Sequence, residues 1–497
     1  MRRSVALGLA IVLSACGDDT LSPHLPPLEL RIVSPAPDDS LAHGDTVLFL
    51  GEATGDDIGL LPDDSTWWSE GGWLIGRGRR VAHIVREGAR SYRFHARYGS
   101  REDSVSLALS VGQAGIGQIL WVVAMSSPEW GVSDGLALGP SGVLYARDYR
   151  TIVAIALDGS VLWRSELPVF IYGHAPAIAP DGTIYYGFVP AALVKPGGGV
   201  IALSGDGAIK WIFRNADHLP PEVYGLGCVH WGVALDSEGT IYFRAEYTDS
   251  PMYAVWPDGT LKWRVSTISG REPSVSMKGI GTPVLVGDTL AVVAQRRDSV
   301  VAVDTRDGTL RWSRSLPGSS GYRDPSPAVD FAGNIYIARA DSLSAFSSTG
   351  DVLWSRALSR PAYSSGPTLP YSYLYLATDS GGVTVMTHDG QPVAEFGSPG
   401  HYYHSAATLG ENGVLYVAGH DTLYSYASDG AVRYRVPVHH TAYAQFSQGG
   451  PVIGPDGTVY FRAWGHGVVA IRDTVGPAST APWPMLGGGP TRRGRRD

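Results

Sequence analysis

The feature that most limits what this chain can fold into is a short phrase that keeps returning. It is clearest at Asp158-Gly159-Ser160-Val161-Leu162-Trp163. It recurs as Asp206-Gly207 to Trp211, Asp258-Gly259 to Trp263 and Asp307-Gly308 to Trp312, with Thr349-Gly350 to Trp354 as a variant. Asp389-Gly390 to Ala394 and Asp429-Gly430 to Tyr434 keep the turn and lose the tryptophan. The seven end positions lie 40 to 52 residues apart. A period in that range is the signature of a repeat architecture.

Asp-Gly supplies the positive backbone dihedrals of a tight hairpin turn. The alternating run after it is then an outer strand ending in a large ring. A second phrase, Gly-Thr-Ile-Tyr or a relative, precedes each turn. Its copies start at Gly142, Gly182, Gly239, Gly333, Gly413 and Gly457, with degenerate ones at Asp288 to Ala291 and Tyr373 to Tyr375. Eight copies of the second phrase stand against seven of the first. The missing outer strand is upstream, at Gly117-Gln118-Ile119-Leu120-Trp121. The expected fold is therefore all-β: eight four-stranded blades of a β-propeller, with the strand at 117–124 completing the last blade, built by 447–472. Such closure hides sheet edges that would otherwise recruit other chains.

The N-terminal end reads as an export signal. Arg2 and Arg3 precede an apolar run, Val5 to Leu13, too short to span a bilayer as a helix. Leu13-Ser14-Ala15-Cys16 resembles the lipobox of bacterial lipoproteins. That resemblance implies lipidation of Cys16 and a lipid anchor in the cell envelope, with Gly17 favouring the outer membrane. Multiple acyl chains would make the anchor stable. Residues 1–16 are then a signal peptide and 17–27 a polar, Pro-rich tether. The other cysteine, Cys228, is expected to be a small buried hydrophobe.

Residues 28–112 carry short alternating strands with turn signals, the pattern of a small β-sandwich. Ser34-Pro35, Gly44-Asp45, Val47, Phe49, Trp68-Ser69 and Gly76 with Gly78 resemble bacterial Ig-like domains of the PKD kind. Trp67 and Trp73 could form a carbohydrate platform; they are read here as core or turn packing.

The stretch 113–475 carries the blades. Ala302-Val303-Asp304-Thr305-Arg306-Asp307-Gly308-Thr309-Leu310-Arg311-Trp312 resembles the PQQ-like β-propeller repeat, whose tryptophan packs between blades. That family includes eight-bladed quinoprotein dehydrogenases and cofactor-free lipoproteins that scaffold outer-membrane protein assembly. Alcohol-oxidising quinoproteins share adjacent cysteines and a Glu, Asn and Asp calcium set. This chain has no adjacent cysteines, so PQQ is disfavoured and no cofactor is expected. The tail 476–497, with Trp483-Pro484-Met485 and Pro490-Thr491-Arg492-Arg493-Gly494, looks like a segment accompanying such repeats. It is expected on the propeller's side, with Arg495-Arg496 solvated.

The net charge of −8 argues against nucleic acid as a partner and against a basic membrane-binding surface. Phosphate-loop, zinc-protease and serine-elbow motifs are missing. The Asp-Gly pairs lack the alternating oxygens of calcium loops and read as hairpin turns. No catalytic residue and no metal ligand is assigned, although His174, His230, His404 and His440 could share a metal if they converged.

The connectors entering each innermost strand are rich in rings. Trp130, Tyr172, His174, His230, Trp231, Tyr322, Tyr363, Tyr402, His404, His440 and Tyr443 are the candidate partner-binding residues. In a propeller these connectors gather on one face, and rings give large contact area at low entropy cost. The favoured function is a non-catalytic envelope lipoprotein that binds or scaffolds protein or polysaccharide partners. The alternative is a propeller enzyme, either a quinoprotein oxidoreductase or a polysaccharide-active hydrolase or lyase.

Overall fold

The structure is a computed structural model. It describes residues 27–495 apart from 126–134, 190–196, 220–226, 246–250, 268–280, 318–325, 398–404, 438–449 and breaks of three residues or fewer. The described elements are β-strands and three short 3-10 turns. The chain divides into two units, Met1–Leu120 and Trp121–Asp497.

In the first unit, two sheets share one core. Thr46–Gly55 pairs with Leu28–Ser34, Gly59–Leu60 and Arg80–Ile84. The other sheet runs Leu41–Ala42, Arg101–Gly112, Gly88–Tyr98, Thr66–Glu70, Trp73–Arg77. Alternation sends Phe49 from one sheet and Trp68, Tyr92 and Phe94 from the other into the same fully buried cluster. Phe49 meets Trp68 edge-on at 5.2 Å, a favoured aromatic geometry. Trp67 and Trp73 do not share one role. Trp67 is half-buried, stacked on His95 at 5.1 Å. Trp73 is 61% exposed beyond the Gly71-Gly72 turn, so the packing expected for it does not occur. It follows the hairpin bend, where alternation turns it away from the core.

In the second unit, eight sheets follow in chain order among the described residues. The first is typical: Ala137–Leu138, Val143–Asp148, Thr151–Ala156 and Val161–Glu166, all antiparallel. The sixth has three strands, joined by an isolated bridge from Thr368 to Tyr375. The eighth pairs Ile119–Val123 with Gly467–Ile471, ahead of Val459–Ala463 and Val452–Ile453.

The two sequence phrases turn out to be halves of one contact. Within a sheet, the tyrosine of the second phrase lies beside the tryptophan of the first: Tyr145 with Trp163, Tyr185 with Trp211, Tyr242 with Trp263 and Tyr336 with Trp354, at 5.8–6.0 Å. Trp121 takes the same place beside Tyr460, at 5.6 Å. Each tryptophan then reaches the next sheet's hairpin. The indole N–H donates to a backbone carbonyl there: Trp121 to Leu157, Trp163 to Gly205, Trp211 to Pro257, Trp263 to Thr305, Trp312 to Ser348 and Trp354 to His388, all within 2.8–3.0 Å. The ring lies flat on the turn glycine. A Cβ on Gly259 would sit 2.7 Å from Trp211, and one on Gly390 2.7 Å from Trp354. The glycine is thus needed twice, for its positive φ and for the ring above it.

Two links depart from this rule. From the sixth sheet to the seventh, Ala394 occupies the tryptophan position opposite Val385. Phe396, two residues further along the same face, covers Gly430 instead, 2.7 Å from where a Cβ would stand. Gly430→Ala is expected to cost about 1–3 kcal/mol, because its φ is +85° and the ring leaves no room. The unfolding midpoint in urea would register the loss; an unchanged midpoint would mean the ring is loose.

From the seventh sheet to the eighth, no hairpin is available, because the chain leaves the ladder at Ile471 and the outer strand comes from Ile119–Val123. Asp473, fully buried, stands there. It accepts hydrogen bonds from Arg433 at 2.7 and 3.0 Å, Tyr434 at 2.7 Å and Tyr416 at 2.9 Å. A polar cluster therefore replaces the indole at the one seam where indole and glycine cannot meet.

Candidate functional site

The eleven ring-bearing candidates, Trp130, Tyr172, His174, His230, Trp231, Tyr322, Tyr363, Tyr402, His404, His440 and Tyr443, all lie outside the described residues, as does Cys16. What is described is the root of each connector, where it enters the innermost strand. These roots are small and close. A Cβ on Gly135 would stand 2.6 Å from that of Ala175, joining the roots of the first and second sheets. Gly232 lies beside Thr282, whose N–H donates to Ser326 at 3.1 Å. Thr368 donates to Ala407 O at 2.6 Å, and Thr408 to Pro451 O at 2.7 Å. These contacts make a buried collar of roots, joining the first sheet to the second, the third to the fourth and fifth, and the sixth to the seventh and eighth.

Cys228 is one of the roots and is fully buried. Among the described residues no group of three or more His, Cys, Asp or Glu could hold a metal ion. The phrase tyrosines are buried, and several bond a carboxylate, as Tyr242 does to Asp236 at 2.8 Å. Burial, with the nearby charge of Asp181, pushes the Tyr185 phenol up to about 12, so it carries its proton at neutral pH.

The residue that sequence reasoning placed wrongly is Arg492. The tail does not run along the outer side of the sheets. Gly476–Ala478 pairs with Leu409–Glu411 at the end of the seventh sheet's innermost strand. Ala481 and Met485 are buried. Arg492, 5% exposed, donates to Leu136 O at 3.1 Å and Gly450 O at 2.6 Å. It therefore bridges the roots of the first and eighth sheets. The innermost strands of the third and fourth sheets donate Leu235 N to Arg493 O and Leu285 N to Gly494 O, both at 2.8 Å. Arg495, expected to be solvated, pairs with Asp288 at 2.6 Å. The physical reason is that innermost strands present an unpaired edge, and buried N–H and C=O groups require partners. The tail supplies them. The run Pro490-Thr491-Arg492-Arg493-Gly494 was the available signal.

A family model described as outer membrane protein assembly factor BamB matches residues 109–226, 227–340, 299–401 and 339–477. The second unit is thus a repeat-built propeller, and the chain belongs to that family. Among solved structures it is similar to BamB from Moraxella catarrhalis: 14% identity, TM-score 0.55, covering 72% of this chain and 100% of that one. The C-terminal WD40 domain of Sif2 (12%, 0.55, 73% and 100%) and the computationally designed Ika8 protein (13%, 0.54, 72% and 100%) share the fold. No curated protein matches the sequence.

Proposed function

We propose that the chain is a non-catalytic, lipid-anchored scaffold of the cell envelope. In this reading residues 1–16 are a signal peptide ending at the lipidated Cys16, and 17–27 a tether to the outer membrane. Residues 28–112 are an Ig-like sandwich acting as a stalk. Residues 113–475 form a closed eight-bladed propeller that docks envelope proteins through its ring-rich connectors. The observation that supports the reading is the collar of described connector roots, in a domain whose family is that of an outer membrane assembly factor. The family name supports a protein partner over a polysaccharide. The role needs no cofactor.

The test is a pull-down from envelope extracts with the intact protein and with a variant carrying Tyr402→Ala, His404→Ala, His440→Ala and Tyr443→Ala. One or more proteins should be recovered by the first and lost from the second. Equal recovery by both would remove the connectors from the interface, and recovery of glycan alone would replace the protein partner. Cys16→Ala should move the protein from the membrane fraction to the soluble one.

A further inference from the structure

We propose that the collar at the centre of the second unit is a peptide-binding site specific for an extended segment carrying Arg followed closely by Gly, and that the chain's own C-terminal segment is its resident ligand. The proposal rests on how the tail is held. Three kinds of contact hold it, and each reads a different property of a peptide.

The backbone is read by strand edges. Leu235 N and Leu285 N come from two different innermost strands and donate to consecutive carbonyls, Arg493 O and Gly494 O. Main-chain pairing of this sort is how exposed sheet edges recognise extended peptides, with side-chain slots adding specificity. The side-chain slot is the second contact. The Arg492 guanidinium is buried where carbonyls of two connector roots, Leu136 O and Gly450 O, face it. Burying a charge is costly unless its donors are met, and a fork of donors among fixed carbonyls meets them in one geometry. A tail needed only to fill space would do so at less cost with an apolar residue.

Glycine is the third. Gly494 has φ +65°, and a Cβ there would stand 2.7 Å from Ala234 Cβ and 2.8 Å from Pro283 O. Any larger residue at that position is excluded by a backbone carbonyl and by an alanine Cβ that has no rotamer to move aside. Beyond it, Arg495 meets Asp288, which also holds Ser237 of the third sheet at 2.6 Å. The tail thus touches innermost strands or roots of the first, third, fourth, seventh and eighth sheets, through contacts a separate peptide of the same sequence could reproduce.

The experiment separates the tail from the body without asking the body to fold alone. Ser479 and Thr480 are exposed in a turn. A protease site placed there allows the tail to be cut after folding. The cut protein is mixed with a fluorescent synthetic peptide of the sequence 481–497, and polarisation is followed with purified material only, so the outcome does not depend on any envelope partner. Saturable exchange of the labelled peptide for the cut tail is expected, with no uptake by uncut protein. Peptides with Arg492→Met or Gly494→Val should compete at least about tenfold more weakly. Equal competition by these variants would overturn the proposal. So would a cut tail that leaves only when the body unfolds, since that would make the segment a structural clasp, or a body that stays folded without the tail yet takes up no peptide.

Discussion

Replacing Trp263 by alanine is expected to destabilise the second unit by about 3–5 kcal/mol, the range for truncating a large buried aromatic. The side chain is 8% exposed. It touches Tyr242 within its own sheet and covers Gly308 of the next. Its N–H is satisfied by Thr305 O at 3.0 Å. The alanine variant therefore loses apolar area, leaves a cavity between two sheets and leaves Thr305 O with only the longer bond from the Tyr242 hydroxyl, at 3.3 Å. Urea unfolding followed by far-ultraviolet circular dichroism would show the midpoint fall. Trp163, less deeply buried, should lose less in the same substitution. Equal, small losses at both positions would mean that the sheets are held by their connections and not by the indoles.

The second large effect is expected at Asp473. Asp473→Asn should cost about 3 kcal/mol, at the low end for breaking a buried pair because Arg433 retains some exposure. Its pH dependence follows from opposing influences. Burial alone would raise the carboxyl pKa, but hydrogen bonds from Arg433, Tyr434, the Thr474 amide and Tyr416 together outweigh it and hold it below its ordinary 3.8. A group with a lowered folded-state pKa contributes its stability above the unfolded value and loses it as pH falls through the folded one. The gap between native protein and variant should therefore be full at pH 7 and shrink below about pH 4. A gap that stayed constant down to pH 2 would show that the carboxylate charge contributes nothing.

The repeating contact was legible because it is local and chemically narrow. Positive φ demands glycine, and a wedge between sheets demands a large ring, so Asp-Gly with a ring four residues on names both partners. The closing strand was legible for the same reason, since Trp121 had no turn of its own. Phe396 was not legible: it stands two residues past the position where the phrase puts its ring, and that position holds Ala394. Asp473 was hidden because its side-chain partners lie 39 to 57 residues away, and although Tyr416 and Tyr434 stand at phrase positions, nothing in either phrase calls for a carboxylate. Trp73 misled because ring size says nothing about which side of a hairpin bend it falls on. The tail was misplaced because a sequence does not display the unpaired inner edges that attract it. As for the candidate site, the aromatic connectors caught attention through composition, while the described roots are mostly glycine, alanine and threonine, residues too common to stand out.

The eighth sheet takes one strand from Ile119–Val123 and the others from beyond Val452, and Tyr460 reaches Leu157 O across 303 residues of chain. Joining ends so far apart is entropically inexpensive, only roughly 2 kcal/mol more than closing a single repeat. Its significance lies in timing. Synthesis delivers the partners of the first strand after all the other sheets, so every nascent chain must wait with both borders of its array unsatisfied until Val452 and the residues after it emerge. The same circularity means the peptide could be cut at any other hairpin and its old ends fused, and such a permutant should reach the same fold.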